Sequence, residues 1–350
     1  MNINDIAKQT GEWLKGEGPE ADIVISSRVR IARNIKGYPF YHWAGKKEKA
    51  EVLSAVKEAV SDSKYMKGSM FVRIADMDDV DRLFLVERHL MSREHAAPDE
   101  AKALAVDEKE IISIMINEED HIRAHAIQSG FNLVDTWHIV DALDDELSNK
   151  IDYWYSERWG YLTACPTNIG TGLRGSVMVH LPALVITNQI ARVLQAVTKL
   201  GIAARGLYGE GSEASGNFFQ ISNQVTLGRS EEEIIDNIEK LINQVIGRER
   251  SAREYLLTNS KSAVSDRAWR AYGTLKSARI ITSDETIRLL SLIRLGVDMG
   301  IITDINRKTL NELFIFTQPA HLQKIEGKKF SSTERDMKRA DLIREKLKVS

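Results

Sequence analysis

Four short segments concentrate residue types suited to moving a charged group. They are Ser26-Ser27-Arg28-Val29-Arg30, Asn117-Glu118-Glu119-Asp120-His121-Ile122-Arg123, Cys165 to Arg174 (CPTNIGTGLR), and Arg205 to Glu210 (RGLYGE). Arg28 and Arg30 stand two apart in a stretch that alternates like a strand, so both side chains point to one face. Two adjacent guanidinium groups repel unless an anion lies between them, and phosphate matches their fork geometry. The second segment sets three acids and an arginine directly after an apolar strand candidate. The third interrupts a strand with Pro166 and two glycines, then presents Arg174. Singly, each has a plainer reading: a solvated strand face, an acidic loop, a tight turn around an inert buried thiol. Together they assemble the parts of a phosphoryl-transfer site, in which positioning and charge stabilisation do most of the work.

The commoner nucleotide loops are missing. No G-x-x-x-x-G-K-[ST] occurs, and neither H-R-D nor D-F-G is present. Gly209-Glu210-Gly211 is only a fragment of a glycine-rich loop. The stretch from Gly209 to Gly216 is flexible by composition, and either closes over a nucleotide or simply joins two strands. His121 and His125 stand four apart, but no Glu adjoins the first, so no zinc site is expected there.

The elements that must hold these segments read as strands and helices mixed, then helices only. Ala21–Ile31 alternates as a strand, and Ile111–Ile116, Tyr161–Ala164, Ser176–His180, Ile202–Leu207 and Asn217–Gln224 are further strand candidates. Helices are expected over Lys49–Ser61, Asn132–Lys150 and Pro182–Leu200. Strands that follow strands without a helix between each pair favour an antiparallel sheet. Ser230 with Glu233 forms a capping box that opens a clear helix carrying Ile234, Ile238, Leu241 and Val245. Ser283 is expected to cap a later helix that stops at Gly296, Pro319 to end another, and Ser332–Lys348 to form a charged terminal helix. The fold class is therefore α+β: an antiparallel sheet flanked by helices over residues 1–255, followed by an all-α domain over 256–350.

Composition narrows the function class. The 350 residues carry 48 Lys and Arg against 50 Asp and Glu, a net charge of -2. That balance disfavours a nucleic-acid or membrane-surface binder, which carries a basic excess. One cysteine rules out an intrachain disulfide. No apolar run reaches the length of a membrane span, and residues 1–20 lack the apolar core of a signal peptide, so a cytoplasmic protein is expected.

The four segments, in this order over roughly residues 21–250, resemble the phosphagen (guanidino) kinases, whose hallmark is C-P-[ST]-N-x-G-T with an N-E-E-D loop. The resemblance implies ATP with Mg²⁺ as the donor. It assigns Glu119 and Glu210 to the planar guanidinium, one of them taking its proton, with Cys165 acting beside them as a thiolate. Ser27, Arg28, Arg30, Arg123, Arg174 and Arg205 would hold the nucleotide, and Glu118 would reach the metal through water, with no direct protein ligand. Met178 stands where the family usually places a histidine near the adenine. Tyr208 stands where metabolite kinases tend to have a basic residue. Typical members carry a helical domain ahead of the S-x-R-V-R strand; here Arg28 lies near the start and a helical tail follows instead. That arrangement resembles the bacterial protein-arginine kinases of the McsB type, and Arg335-Asp336-Met337-Lys338-Arg339-Ala340 resembles their phosphoarginine-binding motif. The resemblance implies phosphorylation of exposed arginines on proteins, marking them for Clp-type proteolysis in the stress response. It also implies a Clp ATPase or protease as partner, a zinc-containing activator, and a homodimer. Alternatives are a small-guanidine metabolite kinase and a phosphoarginine-reading protease adaptor.

Overall fold

The alternation at the front of the chain becomes β1 (Val24–Arg33), the central strand of the site. The computed structural model describes residues 2–206 and 215–348. Beside β1, the sheet contains β2 (Met70–Arg73), β3 (Ala103–Val106), β4 (Ile112–Ile116) and β5 (Ile122–Ser129). A small separate hairpin, β6 (Tyr155–Ser156) and β7 (Gly160–Tyr161), interrupts the series. The sheet is completed by β8 (Leu173–His180), β9 (Ile202–Gly206) and β10 (Phe218–Asn223). Its order is β2-β3-β4-β5-β1-β8-β10-β9, and the neighbouring pairs run antiparallel.

Helices α1 (Ile3–Ala7), α2 (Lys46–Asp62), α3 (Asp79–Glu87) and α4 (Leu133–Ser148) flank the first strands. The helix expected over Pro182–Leu200 is two, α5 (Pro182–Ile186) and α6 (Ile190–Lys199). Asn188 between them adopts a left-handed φ of 56°, which no helix turn accepts. Helix α7 (Glu231–Asn259) opens on the Ser230–Glu233 capping box. It and α4 cover one face of the sheet, where Val29, Ile31, Ala124 and Val177 meet Leu133, Val140, Ile238 and Leu241 in a single core. Each such buried aliphatic contributes roughly 1.5–3 kcal/mol.

The boundary expected near residue 255 falls inside α7. Five helices follow: α8 (Lys261–Ser277), α9 (Ser283–Asp298), α10 (Arg307–Phe316), α11 (Pro319–Glu326) and α12 (Ser332–Lys346). Their own core includes Leu275, Leu290, Leu310, Leu313 and Ile343. Three helix ends differ from expectation. The cap of α9 is Thr282, whose side chain accepts from the Glu285 amide. Gly296 does not stop α9, because a Cβ there would lie 2.9 Å from Ala268 Cβ; the glycine serves the close crossing with α8. Pro319 opens α11 at its first turn, where its missing N–H costs nothing. No helix among the described residues is long and apolar enough to cross a membrane.

Candidate active site

Register puts the arginines together. Arg30 on β1 lies opposite Arg174 on β8 and His125 on β5, and Arg123 lies opposite Ala32. Gln220 on β10 connects Met178 on one side to Arg205 on the other. With a side-chain period of two, Arg28, Arg30, Arg123, Arg174 and Arg205 all stand on one face of the sheet. The opposite face is the apolar one against α4 and α7.

Such crowding of cations has an electrostatic signature. Arg28 is pulled down to about 10 by burial, then by Arg123 and Arg174. Burial, then Arg28, Arg123 and Arg174, pushes Arg30 well below its ordinary range, with Glu118 opposing. Arg174 is lowered by burial and by Arg205 and Arg123, while Cys165 and Glu119 act the other way. A polyanion entering this face would relieve all three at once.

The acidic loop sorts its three carboxylates by role. Glu118 is buried: Arg123 Nη1 donates to its Oε2 at 2.6 Å and Ser92 Oγ to its Oε1 at 2.6 Å. Burial works to raise Glu118, but Arg123 and the Ser92 bond hold it below the usual carboxylate range. Asp120 accepts from Asn34 Nδ2 at 2.7 Å and from the Ala164 amide at 2.6 Å. His121 accepts from the Ile35 amide at 3.0 Å and sits 3.0 Å from the Pro39 carbonyl through Nε2. These bonds tie the loop to the segments on either side of it and leave Glu119 as the half-buried carboxylate between them. Burial and then Asp120 raise Glu119 above the ordinary value, against the pull of Arg123. A carboxylate raised in this way is suited to accept a proton.

Because Asp120 holds Ala164, the next residue, Cys165, is delivered beside Glu119's loop. Cys165 is half-buried, and its Sγ lies 3.0 Å from Thr167 Oγ1. Thr226 Oγ1 hydrogen-bonds the Thr167 and Ile169 carbonyls at 3.0 and 2.7 Å, fixing the rest of the loop. Gly172 has φ 65°, and a Cβ there would lie 2.7 Å from the Ala32 carbonyl, so the turn into β8 demands glycine.

A cavity of about 480 Å³ continues from Arg28 and Arg30 along the sheet. Its far end is apolar, walled by Ile25, Met178 and Phe218 from the sheet, Trp13 from the N-terminal segment, and Phe314 from α10. His89 borders it, held neutral at about 3 by burial and by Arg28. His180 stays outside: it is buried, with Nε2 2.8 Å from Ser291 Oγ.

Several expected site residues land elsewhere. Ser27 is fully buried on the opposite face from Arg28; its Oγ donates to the Gly130 carbonyl at 2.9 Å and accepts from the Asn132 amide at 3.1 Å. The alternation that exposes Arg28 turns Ser27 away, so its side chain does not contact nucleotide. Glu210 and Tyr208 lie outside the described residues. Arg335, Asp336 and Arg339 on α12 are apart from the arginine face. Arg339 is 1% exposed, with Nε on the Thr317 carbonyl and Nη1 on the Ile281 carbonyl, both at 2.8 Å, and with Asp336 as ion partner. Arg339 is thus folded against the neighbouring helices, while Arg335 is half-buried with Nη1 donating to the Phe330 carbonyl at 2.9 Å. Sequence reasoning missed Asn34, Asp120, His121, His89 and the α10 wall. Asp120 and His121 had a signal, standing within the acidic segment; the others had none. Among the described residues no cluster of three or more His, Cys, Asp or Glu is placed to hold a metal.

The chain is similar to known families in both parts. Residues 51–252 match the ATP:guanido phosphotransferase C-terminal catalytic domain, and residues 261–350 match the protein-arginine kinase McsB C-terminal domain. A protein-arginine kinase of Halothermothrix orenii is 49% identical over 350 residues, covering 100% of both chains. One from Desulforamulus reducens is 47% identical over 345 residues, 98% of this chain and 97% of its own. Among solved structures, the duplicated taurocyamine kinase from Schistosoma mansoni shares the fold with a TM-score of 0.61, at 23% identity over 71% of this chain and 36% of that one. A lombricine kinase reaches a TM-score of 0.59 at 26% identity, covering 71% of each chain.

Proposed function

We propose that this chain, which belongs to the protein-arginine kinase family within the ATP:guanido phosphotransferases, transfers the γ-phosphoryl group of ATP to arginine side chains of proteins. The observation that carries this reading is the cluster of Arg28, Arg30 and Arg174, without a carboxylate bond among the described residues, standing beside a raised Glu119. The phosphates would sit on the arginines, and the purine in the apolar end of the cavity, between Met178, Phe218 and Phe314. An arginine guanidinium stays protonated far above neutral pH, so the acceptor enters as a cation. Glu119, together with Glu210 and Cys165, would fix its plane for in-line attack. As the N–P bond forms, Glu119 takes the nitrogen's proton and the bond from the γ-phosphorus to the bridging oxygen breaks, releasing ADP. Magnesium would neutralise phosphate charge; Glu118, already accepting from Arg123 and Ser92, would reach it only through water.

Glu119→Ala should lower turnover by about 10²–10⁴-fold, the usual share of a general base; a loss under twofold would remove Glu119 from that role. The reading as a whole is tested with labelled ATP and magnesium, offering an arginine-rich protein and free arginine in parallel. Acid-labile label on the protein alone is expected. Label on free arginine alone would make this a metabolite kinase, and none on either would leave a missing activator or the adaptor.

We further propose that helices α8 to α12 form a domain whose Arg335 and Asp336 recognise phosphoarginine, with Arg339 holding Asp336 in place. Unchanged phosphoarginine affinity in Asp336→Ala would refute that. Delivery of the modified proteins to a Clp-type protease in the cytoplasm, dimerisation, and control by a zinc-containing activator complete the reading.

A further inference from the structure

We infer that His125 is a positioning residue of the phosphate site, acting through Arg30; this rests on the phosphate reading of the arginine face. His125 lies directly opposite Arg30 in the β1–β5 register. Residues so opposed in an antiparallel pair have Cβ atoms about 4.5–5.5 Å apart. His125 is 2% exposed, and neither of its ring nitrogens has a hydrogen-bond partner; Arg30 Nε is buried and unpartnered too. Three unsatisfied polar atoms in one cross-strand pair are costly and rare. They are also complementary: Nε–H of arginine only donates, and a neutral imidazole offers one accepting nitrogen.

The surroundings keep the ring in the accepting form. Burial, then Arg28, Arg30, Arg123 and His89, holds His125 well below the ordinary histidine range. Arg28, by contrast, faces Ile127 on the same strand, so Arg30 is the one β1 arginine with an acceptor opposite it on β5. When phosphate draws the Nη hydrogens of Arg30, an Nε anchored on His125 holds the guanidinium in one plane. The fork then presents its two Nη groups to the anion together. His125 touches no substrate in this scheme, and its contribution is the orientation of Arg30.

A packing role and a positioning role predict different results. Affinity for MgADP is measured by calorimetry in wild type, H125L, H125Q, R30Q and the H125L/R30Q double variant. H125L should bind about tenfold more weakly, with its melting temperature not lowered, since it removes two unsatisfied buried nitrogens. H125Q, which keeps a side-chain acceptor, should return to within about twofold of wild type, and H125L should cost less than about twofold in the R30Q background. H125L binding as wild type, or losing equally in both backgrounds, would overturn the inference. R30Q binding as wild type would instead overturn the phosphate reading beneath it. If H125L does not fold, nitrogen NMR of histidine-labelled wild type decides: MgADP should fix the His125 ring in a single hydrogen-bonded tautomer, and an unchanged ring signal would refute the proposal.

Discussion

Arg30 and Arg33 lie three residues apart on β1 and differ in what their charge meets. Arg33 is 1% exposed and fully provided for. Its Nε donates to Asp144 Oδ2 at 2.9 Å, its Nη1 to the Thr171 carbonyl at 2.8 Å, and its guanidinium lies 3.5 Å from the centre of the Tyr161 ring. Burial would lower it, but Asp144 and Glu231 raise it above its ordinary value. Arg88 with Glu110, and Arg339 with Asp336, are likewise buried arginines with a carboxylate partner. Arg30 borders the cavity, has neighbours of its own sign, and is lowered. A buried cation that is paired fixes the fold, whereas one left among other cations has its counter-ion supplied from outside. Membership of one set or the other separates binding residues from structural ones more sharply than residue type does.

The largest test of that contrast exchanges the two arginines' fates. Arg33→Met should cost about 3–5 kcal/mol in urea denaturation, because Asp144 is stranded. Arg30→Met should leave stability unchanged or higher while turnover falls by about 10²–10³-fold. Equal destabilisation by both substitutions would erase the distinction. Next in size is ligand protection. MgADP at a hundred times its Kd should stabilise wild type by about 2.7 kcal/mol in a thermal melt, and Arg30→Met hardly at all. Protection retained in that variant would place the nucleotide elsewhere.

The smallest effect concerns Glu87, an acid among structural partners. Its carboxylate accepts from the Ala320 and His321 amides at 2.8 and 2.7 Å, capping α11. Burial pushes it up to about 7, against those bonds and the charges of Arg339 and Arg335. The folded protein therefore holds this proton more tightly than the unfolded chain does. Its contribution is fully present below about pH 4.5 and is lost as pH rises through 7. Glu87→Gln should flatten that decline between pH 4.5 and about 7; identical slopes for both proteins would show that Glu87 is not raised.

How much of this was legible in the sequence depends on period and on partners. The arginine face could be read because two-residue alternation and fixed motif order survive folding. Ser27 failed by the same alternation, since a residue adjacent to Arg28 must face the other way. Strands β2, β3 and β5 went unread: the first two are four-residue, wholly apolar or mixed stretches with no period to detect, and β5 mixes Arg123 and His125 with small alanines directly after the acidic loop. Thr282 and Ser283 are both capping residues, and only the backbone chooses between them. Gly296 reads as a helix stop until Ala268 of the neighbouring helix is known. Arg339 reads as surface because nothing local announces the Thr317 and Ile281 carbonyls that receive it. His89 and Phe314 border the cavity through tertiary contacts that leave no local trace.

Helix α7 has a mechanical consequence. Its 29 residues make a rod about 43 Å long. At one end Glu231 accepts from Trp137 Nε1. Further along, Glu249 accepts from the Ala183 and Leu184 amides and Arg253 donates to the Asp22 carbonyl. The rod then runs on to Asn259, next to α8 and the helical tail. With no break along it, the catalytic sheet and the tail share a spine with no hinge of its own. Melting of either part strips the other of one of its walls, and the chain should lose structure in one cooperative step.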